Sequence, residues 1–265
     1  MIKHFIKKTG LAAGVAALIL VGGVSAGQAA GAATKLKELE WSFEGMFGTY
    51  DDASLQRGFQ VYKEVCSACH ALKRVAFRNL EDIGFSEAEV KAIADDYQFE
   101  DGPDSFGDMF MREGRPFDRF PSPFENEQQA RASNNGAYPV DLSLVAKSRG
   151  GGPNYIYSLI TGYYDPPADV ELRQGMHYNP YFSGGQIAMA QPLYEDSVEY
   201  ADGTPASVDQ MSADVAHFLM WAAEPKLEER KQMGFKVILF LILVSGLLYF
   251  VNKKVWLPVK RGEDV

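Results

Sequence analysis

At 265 residues, with 46% hydrophobic and 23% charged side chains, the chain has the composition of a folded protein and not of a disordered or fibrous one. Its 2 cysteines rule out a disulfide framework and zinc ribbons built on paired CxxC motifs. The net charge of −9 excludes nucleic acid as a partner, and the acid is concentrated: residues 38–229 hold 33 acidic against 14 basic side chains.

The first element is a leader. Lys3, Lys7 and Lys8 form a basic start, residues 11–24 an apolar stretch, and residues 25–33 a run of small side chains suited to signal peptidase. Residues 1–30 are expected to be a signal peptide, with cleavage between positions 26 and 30, so that the following body is exported.

A helix is predicted over residues 54–65, capped by Asp51 or Asp52. Leu55, Phe59, Tyr62 and Val65 recur on one face of it. By itself such a stripe is ordinary core, but this one runs straight into Cys66-Ser-Ala-Cys69-His70. In an exported chain that motif is the attachment signature of haem c. The two thiols form thioethers with the two vinyl groups of one porphyrin edge, and the adjacent His70 reaches the iron from the proximal side. A thioredoxin-like pair does not call for the histidine and expects a βαβ setting. A zinc site would need further ligands.

The middle of the chain, with much of its 25 Gly, 13 Pro and 13 Tyr, reads as a loop-rich body. It must supply the sixth iron ligand, which has to be an imidazole or a thioether. His177 stands in a Tyr/Asn/Pro-rich loop, Met189 in the loop SGGQIAMAQPL, and Met176 is a further candidate. Spacing alone leaves these alternatives open. His217 lies among apolar neighbours on a predicted last helix and reads as a packed residue. That helix starts with a capping-box pattern, Ser207-Val208-Asp209-Gln210. It carries Val208, Met211, Val215, Phe218, Leu219 and Ala222 on one side and stops before Pro225. Small c-type cytochromes pack their first and last helices together with Gly and aromatic residues at the crossing, and Gly58 and Tyr62 against Phe218 and Trp221 resemble that arrangement.

Residues 233–251 follow, 19 positions with Lys236 as the single charge, long enough at about 1.5 Å per residue to span about 28 Å. Lys236 can snorkel toward headgroups, and Tyr249 and Trp256 are placed as interfacial anchors. Basic residues flank both sides equally, so the positive-inside rule alone is tied. The signal peptide breaks the tie, with the body outside and the tail inside. The expected organisation is a signal peptide (1–30), a periplasmic cytochrome c domain (31–231), a transmembrane helix (232–252) and a cytoplasmic tail (253–265). The fold class is mostly α, a c-type cytochrome domain with long loops plus one C-terminal transmembrane helix.

The stretches RGFQVYKEVCSACH, DGPDSFGDMFMREGR, ARASNNGAYPVDLSLVAKSRGGGPNYIYSLITGY, GGQIAMAQPL and EYADGTPASVDQMSADVAHFLMWAAEPKLEERKQMG, in this order and spacing, resemble the cytochrome c1 family. The resemblance implies one covalent haem c on Cys66 and Cys69, with His70 as proximal ligand and Met189 as distal ligand. It also implies Arg149 against a haem propionate, and Tyr155 and the Asn134-Asn135-Gly136 turn in the haem pocket. It further implies an electron-transfer subunit of ubiquinol–cytochrome c oxidoreductase, the cytochrome bc1 complex. Its partners there would be cytochrome b and the Rieske iron–sulfur protein in a dimeric assembly, and a soluble or membrane-attached cytochrome c. With the leader, the location implied is a bacterial inner membrane, crossed once, with the haem domain in the periplasm. Two departures from the family pattern stand out: Ala190-Gln191-Pro192 where more prolines are common, and Pro139-Val140-Asp141 in place of Pro-Pro-Asp. The rival readings are a stand-alone membrane-anchored cytochrome c carrier and a peroxidase-like haem enzyme with an open iron position.

Overall fold

The computed structural model describes residues 34–262. The expected signal peptide lies outside the described residues. Helix α1 (Asp52–Glu64) starts where Asp51 accepts a hydrogen bond from the Ser54 amide, and it buries Leu55, Gly58, Phe59, Val61 and Tyr62. Helix α2 (Glu87–Asp95) begins with a full capping box between Ser86 and Glu89. Strands β1 (Gln98–Asp101) and β2 (Phe110–Glu113) form an antiparallel hairpin, Gln98 opposite Glu113 and Asp101 opposite Phe110. Short helices α3 (Glu127–Ser133) and α4 (Val145–Ser148) precede α5 (Gly152–Ile160). A second two-residue ladder pairs β3 (His177–Tyr178) with β4 (Gln186–Ile187). The main chain then enters α6 (Val208–Ala223), α7 (Leu227–Val255) and α8 (Leu257–Arg261).

The body is organised around the crossing of α1 and α6. At Gly58 the helices come so close that an added Cβ would lie 2.0 Å from the Asp214 carbonyl oxygen and 2.7 Å from Phe218 Cβ. Only glycine fits that approach. Around it the rings of Phe59, Tyr62, Phe120 and Phe218 pack with centroids 5.7–5.9 Å apart, in tilted or edge-on pairs. Trp221 packs on Phe218 with the rings tilted and their centroids 5.6 Å apart. Arg57 ties the crossing together, donating from Nε to Asp214 Oδ2 at 2.9 Å and from Nη1 to Asp202 at 2.9 Å. The start of α6 differs in detail from the predicted capping box. Ser207 accepts from the Gln210 amide as expected, but the Gln210 side chain turns into the helix and donates to Asp214.

The strands and helices α2 to α5 were not anticipated, yet the class stays mostly α. Helix α7 is 29 residues long, apolar enough to cross a membrane, and unburied over its apolar window. It runs unbroken through positions 231–232 and 252–253, so the divisions drawn there on apolarity fall inside one helix.

Candidate functional site

The chain leaves α1 through a 3-10 turn, Cys66–Ala68, closed by the Cys69 amide on the Cys66 carbonyl. Cys66 packs half-buried against the core, while Cys69, just past the turn, is exposed. The His70 amide bonds to the same Cys66 carbonyl at 2.8 Å, and Tyr62 Oη donates to the His70 carbonyl at 3.3 Å. Burial pushes the Cys66 thiol up to about 12.

Residues 70–74 are then laced to residues 140–143. Leu142 N donates to Ala71 O at 2.9 Å, Lys73 N to Asp141 Oδ2 at 3.2 Å and Arg74 N to Ser143 Oγ at 3.1 Å. Asp141 also accepts from the Ser143 amide at 2.9 Å and so caps the 3-10 turn Leu142–Leu144. This lacing sets the Val140 carbonyl 2.8 Å from His70 Nδ1. A carbonyl only accepts, so Nδ1 carries the proton and Nε2 is left with a free lone pair, the arrangement a metal-binding imidazole needs. Val140 therefore contributes through its backbone, and its replacement of a proline leaves that contact intact. Burial lowers the His70 pKa, a shift the Val140 bond opposes. A cleft of about 160 Å³ opens beside the turn, lined by Cys69, Lys73, Phe124, Glu127, Tyr138 and Asp141 among others.

The remaining candidates form a second group. Arg149 is exposed at the end of α4. After it, Gly151 takes φ +90°, and a Cβ there would meet Leu36 Cδ1 at 2.2 Å. The glycines of KSRGGG thus serve a tight turn beneath the N-terminal segment. Tyr155, half-buried on α5, has its pKa raised by burial and lowered by the nearby Arg149 charge. Tyr163, whose pKa burial also raises, lies close enough to feel Tyr155, and its hydroxyl donates to the Met189 carbonyl at 3.0 Å. Met189 is half-buried in the loop after β4. In the segment that departs from the family's prolines, Gln191 Nε2 donates to Leu193 O at 2.8 Å, anchoring the loop to a buried residue. The Asn134-Asn135-Gly136 turn has positive φ at both Asn135 and Gly136, and Arg131 Nη1 donates to the Gly136 carbonyl at 2.8 Å.

The predicted residues are thus gathered in two groups, Cys66–Cys69–His70 and Arg149–Tyr155–Met189, linked by the continuous chain 140–163. Tyr163 and the Val140 carbonyl escaped sequence reasoning. Tyr163 sits in a plain Tyr-Tyr pair, and a backbone acceptor has no residue code. Of the rival histidines, His177 is exposed and cross-strand from Ile187. His217 is buried edge-on against Phe43 at 4.8 Å and bonds near Ser42 and Asp51, so it is core.

This donor set fits an iron porphyrin: two thiols three residues apart at one turn, an imidazole with one nitrogen already satisfied, and a thioether on an anchored loop. Comparison with known proteins agrees in kind. The model of the Cytochrome C1 family matches residues 41–259. Cytochrome c1 of Rhodospirillum rubrum is 46% identical over 97% of this chain and 98% of its own length. The Candida albicans "cytochrome b-c1 complex catalytic subunit, mitochondrial" is 51% identical over 84% of this chain and 78% of its own. An Arabidopsis thaliana "cytochrome c1 1, heme protein, mitochondrial" is 46% identical over 96% and 83%. A match that takes in both groups of residues and the C-terminal helix places the chain: it belongs to the cytochrome c1 family.

Proposed function

We propose that the chain is the cytochrome c1 electron-transfer subunit of a cytochrome bc1 complex, passing single electrons from the Rieske iron–sulfur protein to a cytochrome c. Haem c, held through Cys66 and Cys69, would supply a reversible one-electron iron couple. His70 would hold the iron through Nε2, with the Val140 carbonyl keeping its ring in one tautomer and orientation. Met189 would supply the second protein ligand to the iron. A thioether favours ferrous iron and raises the potential relative to a second imidazole. Arg149 would offset propionate charge at the haem rim, and Tyr155 and Tyr163 would stiffen the wall that carries Met189. Helix α7 crosses a bacterial inner membrane once, with the body on the periplasmic side.

The observation that carries this reading is the His70–Val140 hydrogen bond, which leaves Nε2 free right after the turn that brings the two cysteines. The test is spectroscopic. The exported chain retains a haem stain on a denaturing gel and gives a low-spin reduced-minus-oxidised spectrum. Met189→Leu lowers the potential and abolishes the weak red-end band of thioether ligation. A spectrum unchanged in that variant rules Met189 out as ligand, and a high-spin native spectrum favours the peroxidase-like reading. Copurification with cytochrome b separates the complex subunit from a stand-alone carrier.

A further inference from the structure

A second feature of the molecule lies at the start of α7, far in sequence from the thiols. Residues 42–48 fold back on themselves. A Cβ at Gly48 would lie 1.9 Å from the Glu44 carbonyl oxygen, so glycine is what permits the closure. The loop is fastened to α7 by Lys231 Nζ, which donates to the Phe43 carbonyl at 2.5 Å and the Gly48 carbonyl at 3.0 Å. Just beyond, the Tyr50 amide donates to Glu228 Oε1 at 2.8 Å. Despite this anchoring the tip turns its apolar side chains outward: Met46 is 60% and Phe47 77% exposed. Phe47 meets the Phe235 ring edge-on at 5.9 Å. Between loop and helix lies a groove of about 340 Å³, lined by Met46, Phe47, Glu228, Lys231, Phe235 and Lys236 among others.

Position and charge together identify the occupant. Phe235 is two residues into the apolar run that starts at Met233, about 3 Å along the helix axis. If α7 spans a bilayer, Phe47 is level with the top of the hydrocarbon and the groove with the headgroups. The nearby cations Lys226 and Arg230 are paired with Glu229 and Glu224. Lys231 and Lys236 have no carboxylate partner among the described residues, and Glu228 is already engaged by Tyr50. The groove therefore presents ammonium groups beside bare aromatic and thioether surface, on a body that is otherwise strongly acidic. We propose that it binds an anionic phospholipid of the outer leaflet, its phosphate on Lys236 and Lys231 and the head of an acyl chain against Met46, Phe47 and Phe235. The 42–48 loop would then be a second membrane contact that sets the tilt of the body over the bilayer. The inference rests on α7 as a membrane span.

The test places p-benzoylphenylalanine at position 47 in the full chain, in its native membranes and in vesicles of equal phosphatidylcholine and phosphatidylglycerol. Irradiation is expected to yield adducts of phospholipid mass, enriched in phosphatidylglycerol in the vesicles. Lys236→Gln is expected to lower that enrichment about fivefold, the effect of one lysine beside a charged headgroup. Crosslinks to a second polypeptide, absence of lipid adducts, equal labelling of the two lipids, or enrichment unchanged in Lys236→Gln each overturn the proposal. Release of the chain by alkaline carbonate would instead refute the membrane span, so the two failures are distinguishable.

Discussion

Replacing Gly58 by alanine adds one methyl group at the point where α1 and α6 are closest. The new Cβ would sit 2.0 Å from the Asp214 oxygen, 2.6 Å from its carbonyl carbon and 2.7 Å from Phe218 Cβ. Two of these obstacles are backbone, so no rotamer change relieves them. The helices must part by on the order of 1 Å, and a gap of that size forfeits a quarter to a half of each dispersion contact it opens. Overpacking of this kind costs about 1–3 kcal/mol, and here the upper half of the range applies because the neighbour is another helix. Alanine returns up to about 1 kcal/mol through its helix propensity. The net loss is about 2 kcal/mol, or about 4–8 °C in Tm for a body of this size. Thermal unfolding of the full chain in detergent, followed by circular dichroism, measures it. An unchanged or higher Tm in Gly58→Ala would refute the reasoning that close approach, and not loop freedom, is what this glycine provides.

Other outcomes follow from the same contacts. Arg57→Ala strands Asp214, whose side chain is 2% exposed, and is expected to cost about 3–5 kcal/mol, with Arg57→Lys restoring only part in denaturant titration. Burial pushes the His217 pKa down from 6.5 to about 4. The unfolded chain takes up a proton that the folded chain refuses, so this stability is complete above about pH 6.5 and is lost as pH falls toward 4, about 3 kcal/mol in total. His217→Gln should flatten that part of the stability–pH curve, and a curve identical to the parent would sink the argument. The acidic body should steer a basic cytochrome toward it, so the second-order electron-transfer rate is expected to fall as ionic strength rises. A salt-independent rate would remove steering as the basis of partner choice.

The legible parts of this protein were those written in local spacing. The i, i+3, i+4 stripe through Leu55, Phe59 and Tyr62 and the Asp51 cap located α1, and Ser207 and Pro225 bracketed α6, because cap and stripe chemistry act within a few residues. The Gly58–Phe218 crossing was legible only through its resemblance to small c-type cytochromes, since helical spacing places residues on a face but does not say what that face meets. The hairpin at Gln98–Glu113 was not: its strands are four residues each, half-exposed, with no apolar alternation to mark them.

The candidate site divides in the same way. Cys66, Cys69 and His70 are adjacent, so their proximity follows from five consecutive letters, and the long apolar run of α7 likewise declares itself through composition. The His70 tautomer, by contrast, depends on a carbonyl seventy residues away, placed by Asp141 and Ser143 lacing two loops together. The same holds for the Tyr163 bond that anchors the Met189 loop and for the Lys231 bonds that hold Phe47 against the foot of α7. Each of these contacts uses a backbone acceptor, which every residue carries and no sequence pattern distinguishes. Folding alone chooses which carbonyl meets which donor.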